Sequence, residues 1–313
     1  MKKTLIVAGF TALMSTTAMA EGIGVSMARF DDNFLTVLRN GMIAQSEALG
    51  ISLQVEDAQD DVAKQLDQIN NFIASGVDAI IVNAVDTSAT QAMSDAAAAA
   101  GVPLVYVNRQ PINVDALPDN QAFVASNESD SSSQGMVESC NQWAAAGKTE
   151  VNVYVMQGQL SNQAAVQRTQ NYYDVIDAGK CAVKVNVIDQ QTANWSRDEA
   201  QNLMTNWLST GAAFDGVLAN NDEMALGALQ AIKAAGIDMG SVIVSGVDAT
   251  QDALASMQAG ELDITVFQDA AGQGAGSLDA AIKLSKGETV EQKVYIPFKL
   301  VTPANIGEFL SKN

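Results

Sequence analysis

Ten short apolar runs, each followed by a helical stretch, limit what this chain can fold into. The runs lie at 22–27, 51–57, 77–83, 102–108 and 121–126, then at 150–156, 182–189, 214–219, 241–247 and 262–268. They are apolar on both faces, as strands covered on both sides must be. Between them lie amphipathic segments such as DVAKQLDQINNFIASG and DEMALGALQAIKAAG, each closed by a glycine suited to a helix C-terminus. Alternation of this kind predicts an α/β fold with parallel sheets sandwiched by helices.

Ten strands are many for one doubly wound sheet, and the pattern repeats. Segment 77–108 matches 214–248 in the order strand, Asn, helix, Gly, strand, polar residue. The match pairs Asn83 with Asn221 and Asn108 with Asp248, and predicts two similar Rossmann-like lobes. In open parallel sheets, ligands bind outside the carboxyl ends of the strands. Asn and Asp at strand-to-helix turns are also common helix N-caps. At one position the cap is the simpler account; matched placement in both halves points to a shared cleft.

The strand ends supply Phe30, Asp32 and Phe34, then Asn83, Asn108 and Arg109 in the first half. The second half supplies Arg168, Trp195, Asn221, Asp248 and Gln268. Carboxylates and amides pair with hydroxyls as donors and acceptors, Arg adds charge-assisted donors, and aromatic faces cover the C–H faces of a ring. Asp32 and Asp248 balance Arg109 and Arg168, which favours a neutral ligand over a phosphate or carboxylate. Ser196 and Glu199 form an S-x-x-E capping box, so Trp195 is either a staple against Ala200 or a platform for a ring. The small size of Ala200 favours the platform. Phe34 opens the helical apolar pattern of Leu35, Leu38 and Met42, so core packing is an equal reading, and Trp143 and Trp207 are expected in the core.

Other chemistries find no residues. The chain has no histidine, which removes Ser-His-Asp, Cys-His and His-based zinc sites. No P-loop, EF-hand spacing, GxSxG elbow or CxxC occurs, and no cofactor or metal is expected. A formal charge of −19 argues against a nucleic-acid partner. The start, MKKTLIVAGFTALMSTTAMAEG, reads as an export leader over 1–20, with Ala18-Met19-Ala20 as the cleavage site, and places the protein in a periplasm. In that oxidising setting the two cysteines, Cys140 and Cys181, are either bridged or two buried thiols.

Taken together, VLANNDEMALGALQAIKAAG, VPLVYVNRQP, AAVQRTQ, GVDAT and the closing YIPFKLVTP resemble the periplasmic ribose-type sugar-binding proteins. These are the substrate-binding components of ABC importers. The resemblance is collinear from Glu21 onwards and implies two lobes joined by three crossings, near 126–128, 268–269 and 297–299. The lobes would be 21–126 plus 269–297, and 127–268 plus 298–313. It also implies a monomer that closes on its ligand and docks on a membrane permease.

The family's binding pattern falls on the strand-end residues already named, from Asp32 to Gln268, with Phe30 as an extra aromatic. Ribose binders carry Asn where this chain has Asp32, Asp where it has Asn108, and Phe where it has Trp195. QTANWSRDEAQNLMTNWL and FQDAAGQGA look closer to the inositol- and rhizopine-binding branch. The expected ligand is therefore a neutral cyclitol, myo-inositol first, with ribose, allose or galactose as the alternative. Carriage to a chemoreceptor is a further role open to such a chain. A secreted sugar-modifying enzyme is the rival class, and the missing nucleophile–base pair argues against it.

Overall fold

The computed structural model describes residues 22–313; the leader read at 1–20 lies outside the described residues. With strands numbered in chain order, the first sheet runs β2 (Ser52–Asp57), β1 (Gly22–Met27), β3 (Ala79–Val82), β4 (Leu104–Val107), β5 (Gln121–Ala125) and β11 (Lys293–Tyr295). The second runs β7 (Lys184–Thr192), β6 (Glu150–Gln157), β8 (Gly216–Ala219) and β9 (Ile243–Ser245). Every ladder within these two sheets is parallel. Strand β10 (Thr265–Phe267) extends the second sheet through bridges Ser245–Ile264 and Asp248–Phe267, and pairs antiparallel with β12 (Lys299–Val301). One strand order is thus used twice.

All ten expected strands form, most of them shorter than their apolar runs. Strands β11 and β12 were not foreseen, because three residues such as KVY or KLV carry no periodic signal of their own. Central strands β3, β4 and β8 are buried throughout, whereas edge strands β2 and β7 are half-buried.

Helices α1 (Asn33–Leu49), α2 (Val62–Ser75), α3 (Thr90–Ala100) and α9 (Ala270–Ser285) cover the first sheet. Helices α4 (Ser132–Ala145), α5 (Gln163–Asp177), α6 (Arg197–Ser209), α7 (Asp222–Ala234) and α8 (Gln251–Gln258) cover the second. Helix α1 shows how sequence sets these limits. Asp32 caps its start by accepting from the Leu35 N–H at 2.9 Å, Leu35, Leu38 and Met42 bury one face, and Gly50 ends it in the left-handed region.

Each sheet has its own core. One gathers Leu38, Ile81 and Val105; the other gathers Tyr154, Met204, Trp207 and Val244. Trp207 stacks on Tyr154 with centroids 4.4 Å apart, and Trp143 is buried under β6 and β8, so both have the core positions expected of them.

The chain passes between the sheets three times, at 126–131, 268–269 and 296–298. Cys140 of α4 is joined to Cys181, ahead of β7, within one half of the molecule. Closing a loop of that separation, 41 residues, constrains the unfolded chain by about 4 kcal/mol in the chain-entropy account. Among the described residues no helix is long and apolar enough to cross a membrane.

Candidate functional site

The carboxyl ends of the two sheets face one another across a cavity that opens to solvent, with about 400 Å³ of free space when the open mouth is included. From the first half it is lined by Asp32, Phe34, Leu35, Asn108 and Arg109. The second half contributes Asn162, Ala164, Arg168, Trp195, Asn221, Asp248 and Gln268. Nine of the strand-end residues therefore meet in one place.

Capping and lining turn out not to compete. Asn221 caps α7 by accepting from the Met224 N–H at 3.0 Å, yet it is also a wall of the cavity. Asp32 does the same for α1 with Oδ1, while Oδ2 lies 3.5 Å from Arg29 Nη2. Phe34 likewise belongs to the first core and to the cavity wall.

Two strand-end residues are not brought to the cavity. Phe30 stands away from it, with the Arg39 guanidinium 4.2 Å above its ring. Asn83 is fully buried beneath the floor, and its Nδ2 donates to the Val107 carbonyl at 3.2 Å. The reason is a one-residue error in the repeat alignment. Val82 pairs with Ser26 and Ala219 with Met156, so the counterpart of Asn83 is Asn220, not Asn221. Asn83 and Asn220 donate their backbone N–H groups to Ser26 and Met156 in the same way, each at 2.9 Å. The pairing of Asn108 with Asp248 keeps its register: their N–H groups donate to Val124 and Val266 in the next strands.

Asn83 nevertheless serves the site from behind. It donates to Asn108 Oδ1 at 3.5 Å, Asn108 donates to Gln273 at 3.2 Å, and Gln273 donates to Ser126 at 3.0 Å. This buried chain ties a cavity residue to α9 and to the first crossing. Asn108, Trp195 and Asp248 all have positive φ, at 65°, 65° and 127°. Such conformations persist where the surroundings enforce them, and they cluster at binding sites.

The electrostatics depend on a residue the sequence hid. Glu128 accepts from Arg168 Nε at 2.7 Å and Nη2 at 2.9 Å, so this guanidinium is already paired. Arg168 also donates to the Gln268 side chain and the Asn220 carbonyl, each at 2.9 Å, and lies 3.6 Å from Asp248. Burial opposes its charge, but Glu128 outweighs that and holds its pKa above the ordinary value. Burial pushes Asp248 well above the usual carboxylate range, with Arg168 pulling the other way. Arg109 is pushed down to about 10 by burial and still carries its proton at neutral pH; it donates to the Ala84 carbonyl at 2.8 Å. Counting the direct partners Glu128 and Arg29, three guanidiniums stand beside three carboxyl groups; Arg29 is shared with Asp60 at 3.3 Å, and Asp248 is the carboxyl that burial biases towards its neutral form.

Trp195 has Ser196 as the helix cap behind it, although the capping box is half-made: Glu199 accepts from Asn194 at 2.8 Å instead of reaching back. The indole lies against Gly158, where a Cβ would fall 2.1 Å from the ring. Its N–H donates to Asn162 Oδ1 at 3.2 Å, and Asn162 Nδ2 donates to the Val85 carbonyl of the other half at 3.1 Å. Asn162 was missed because it sits just before α5 and reads as a cap, but its side chain makes no capping bond. The halves also meet where Thr87 N–H donates to the Ser161 carbonyl at 3.1 Å and where Asn33 donates to Glu223 at 2.8 Å. Gln268 Nε2, buried at the cavity, has no hydrogen-bond partner among the described residues.

Comparison with known proteins fits this arrangement. A Rhizobium meliloti protein named "Putative rhizopine-binding protein" is 59% identical over 314 residues, covering 100% of both chains. An ABC transporter solute binding protein from Bacillus halodurans with bound myo-inositol superposes with a TM-score of 0.85 at 38% identity, covering 95% of this chain and 100% of that one. The Caulobacter myo-inositol binding protein bound to myo-inositol superposes at 0.82 with 27% identity, over 93% and 96% of the two chains. The model of the periplasmic binding protein domain matches residues 23–289. From its first strand to beyond its last helix, this chain belongs to the periplasmic binding protein family.

Proposed function

We propose that the protein is the substrate-binding component of an ABC importer and closes on a neutral cyclitol, with myo-inositol the first choice. The observation that carries this reading is the convergence of side chains from both halves on one cavity lined by amides, carboxyl groups, guanidiniums and two aromatic rings. Bonds from Asn162 to Val85 and from Asn33 to Glu223 span the gap beside it. The bound myo-inositol of the Bacillus halodurans and Caulobacter proteins supports the ligand class. In this reading Asn108, Arg109, Asn221, Asp248 and Gln268 bond the ring hydroxyls, Asp32 and Arg168 do so while anchored by their ion partners, and Phe34 and Trp195 cover the ring faces.

The two halves, 21–126 plus 269–297 and 127–268 plus 298–313, then move as bodies about the three crossings. Ligand bridges them and shifts the population towards the closed form, which docks on the permease. No bond is broken, the leader at 1–20 directs export to the periplasm, and the carrier works as a monomer.

A thermal-shift and calorimetric panel of myo-inositol, scyllo-inositol, ribose, allose and galactose tests the reading. The expected result is saturable binding of an inositol tighter than of any aldose, with the polyol recovered unchanged by mass analysis. Tighter binding of ribose, or conversion of the polyol, would overturn it.

A further inference from the structure

Three hydrogen bonds meet on the side chain of Asn313, far in sequence from every residue of the cavity. Its Nδ2 donates to the backbone carbonyls of Asp248 and Gln268, each at 2.7 Å. Its Oδ1 accepts from the Ala270 N–H at 3.1 Å. Asp248 and Gln268 both line the cavity, and Ala270 opens α9 at the second crossing between the halves.

The neighbouring geometry shows why that clamp matters. Regular pairing of β9 with β10 has dwindled to single bridges, and the last of these joins Asp248 to Phe267. Beyond it, Gln268 N–H reaches the Asp248 carbonyl only at 3.2 Å. Asp248 and the next residue, Ala249, have φ of 127° and 52°, conformations that hold only when the surroundings hold them. The Asn313 carboxamide supplies donors to both chain segments at once, as a further rung of the sheet would. The segment bringing it there is itself fixed, since Phe309 is buried against Phe267 with ring centroids 5.2 Å apart.

We propose that Asn313 is a positioning residue of the ligand site, its carboxamide fixing the Asp248 turn and the Gln268–Ala270 crossing in the gripping geometry. The affinity part of this proposal rests on the cyclitol-binding reading above; the positioning part does not.

The experiment uses the full-length exported protein with Asn313→Ala and Asn313→Asp. The aspartate keeps the size and the acceptor for Ala270, but removes both donors and sets a charge against two carbonyls. The affinity for myo-inositol, read by calorimetry, is expected to fall about tenfold in Asn313→Ala, and at least as far in Asn313→Asp. In the ligand-free variants, amide hydrogen exchange should speed up in peptides 246–250 and 266–271 and stay unchanged elsewhere in the second core. Wild-type affinity in both variants, or wild-type exchange in those peptides, overturns the proposal. If the unmodified protein binds no inositol, the cyclitol reading falls, and the exchange measurement alone decides the role of Asn313.

Discussion

Glu128 grips Arg168 by two parallel hydrogen bonds, at 2.7 and 2.9 Å, with both side chains buried. A buried ion pair of this kind adds little net stability over an apolar pair, yet breaking it strands one charge in the interior. Glu128→Ala should therefore destabilise the protein by about 3–5 kcal/mol in a urea titration at neutral pH. Affinity for the cyclitol should fall with it, because Arg168 also positions Gln268 at 2.9 Å. Glu128→Gln, which keeps an acceptor, should lose less. A Glu128→Ala protein with an unchanged unfolding midpoint would show that the pair is not what holds this corner of the cavity.

Asn221 has two tasks that one pair of variants separates. Asn221→Ala removes the cap of α7 and a cavity amide together, and should cost about 1 kcal/mol of stability as well as affinity. Asn221→Asp keeps a capping oxygen for the Met224 N–H, so stability should stay within a few tenths of a kcal/mol of wild type. It also adds a carboxyl group to a cavity that already holds Asp32 and Asp248, so binding of a neutral polyol should weaken. Wild-type affinity in Asn221→Asp would reduce this residue to a cap.

Much of this architecture is legible in the chain because period and punctuation repeat. Val and Ile runs ending in Asn or Asp mark the strands and their carboxyl ends, so Asn108, Asn221 and Asp248 reach the cavity from position alone. What stays hidden follows from direction, not from element type. Asn83 and Asn221 look alike in sequence, but one residue of register turns the first side chain under the floor. Glu128 lies in a run of polar residues, NESD, that reads as an exposed loop until the first crossing folds it against Arg168. Three-residue β11 and β12 exist only because a strand distant in sequence, β5 or the equally short β10, is there to pair with each.

Gly158 makes room for the Trp195 platform. A methyl group there would meet the indole at 2.1 Å, far inside contact distance, so the ring must tilt or move. Gly158→Ala is expected to fold at a cost of about 1–3 kcal/mol, the usual range for overpacking, and to bind cyclitol about tenfold more weakly. Calorimetry with tryptophan fluorescence checks it: a shifted emission spectrum should accompany the loss. Unchanged affinity would mean that the ring face does not cover the ligand.

Across the mouth, Asn33 donates to Glu223 at 2.8 Å, and Glu223 is held from behind by Arg197 at 2.8 and 2.9 Å. Each partner lies one or two residues from a cavity wall, Asp32 on one side and Asn221 on the other. An exposed hydrogen bond of this kind contributes about 0.5–1.5 kcal/mol to the closed form. Asn33→Ala should therefore release bound cyclitol about three- to tenfold faster in stopped flow, with little change in association rate. A dissociation rate equal to wild type would show that closure does not draw on this contact.

Asp222 gives the protein a predictable response to pH. Its carboxyl is fully buried, and that burial pushes it up to about 7, against hydrogen bonds donated by Thr265 and Thr250. An unfolded chain would titrate the same group near 3.9. The folded protein therefore binds this proton more tightly than the unfolded one, and the stabilising contribution is complete below about pH 4. It drains away as pH rises and is gone above about pH 7, so the melting temperature should decline from pH 5 to pH 8. Asp222→Asn removes the titration, and its melting curve should be flatter across that window, whatever its absolute stability. Asp263, raised to about 6 mainly by burial, contributes in the lower part of the same window. Burial raises Asp248 as well, so calorimetric scans at half-unit steps compare the variant with wild type: an identical slope between pH 6 and 8 in the two proteins would mean that Asp222 is not a titrating group there.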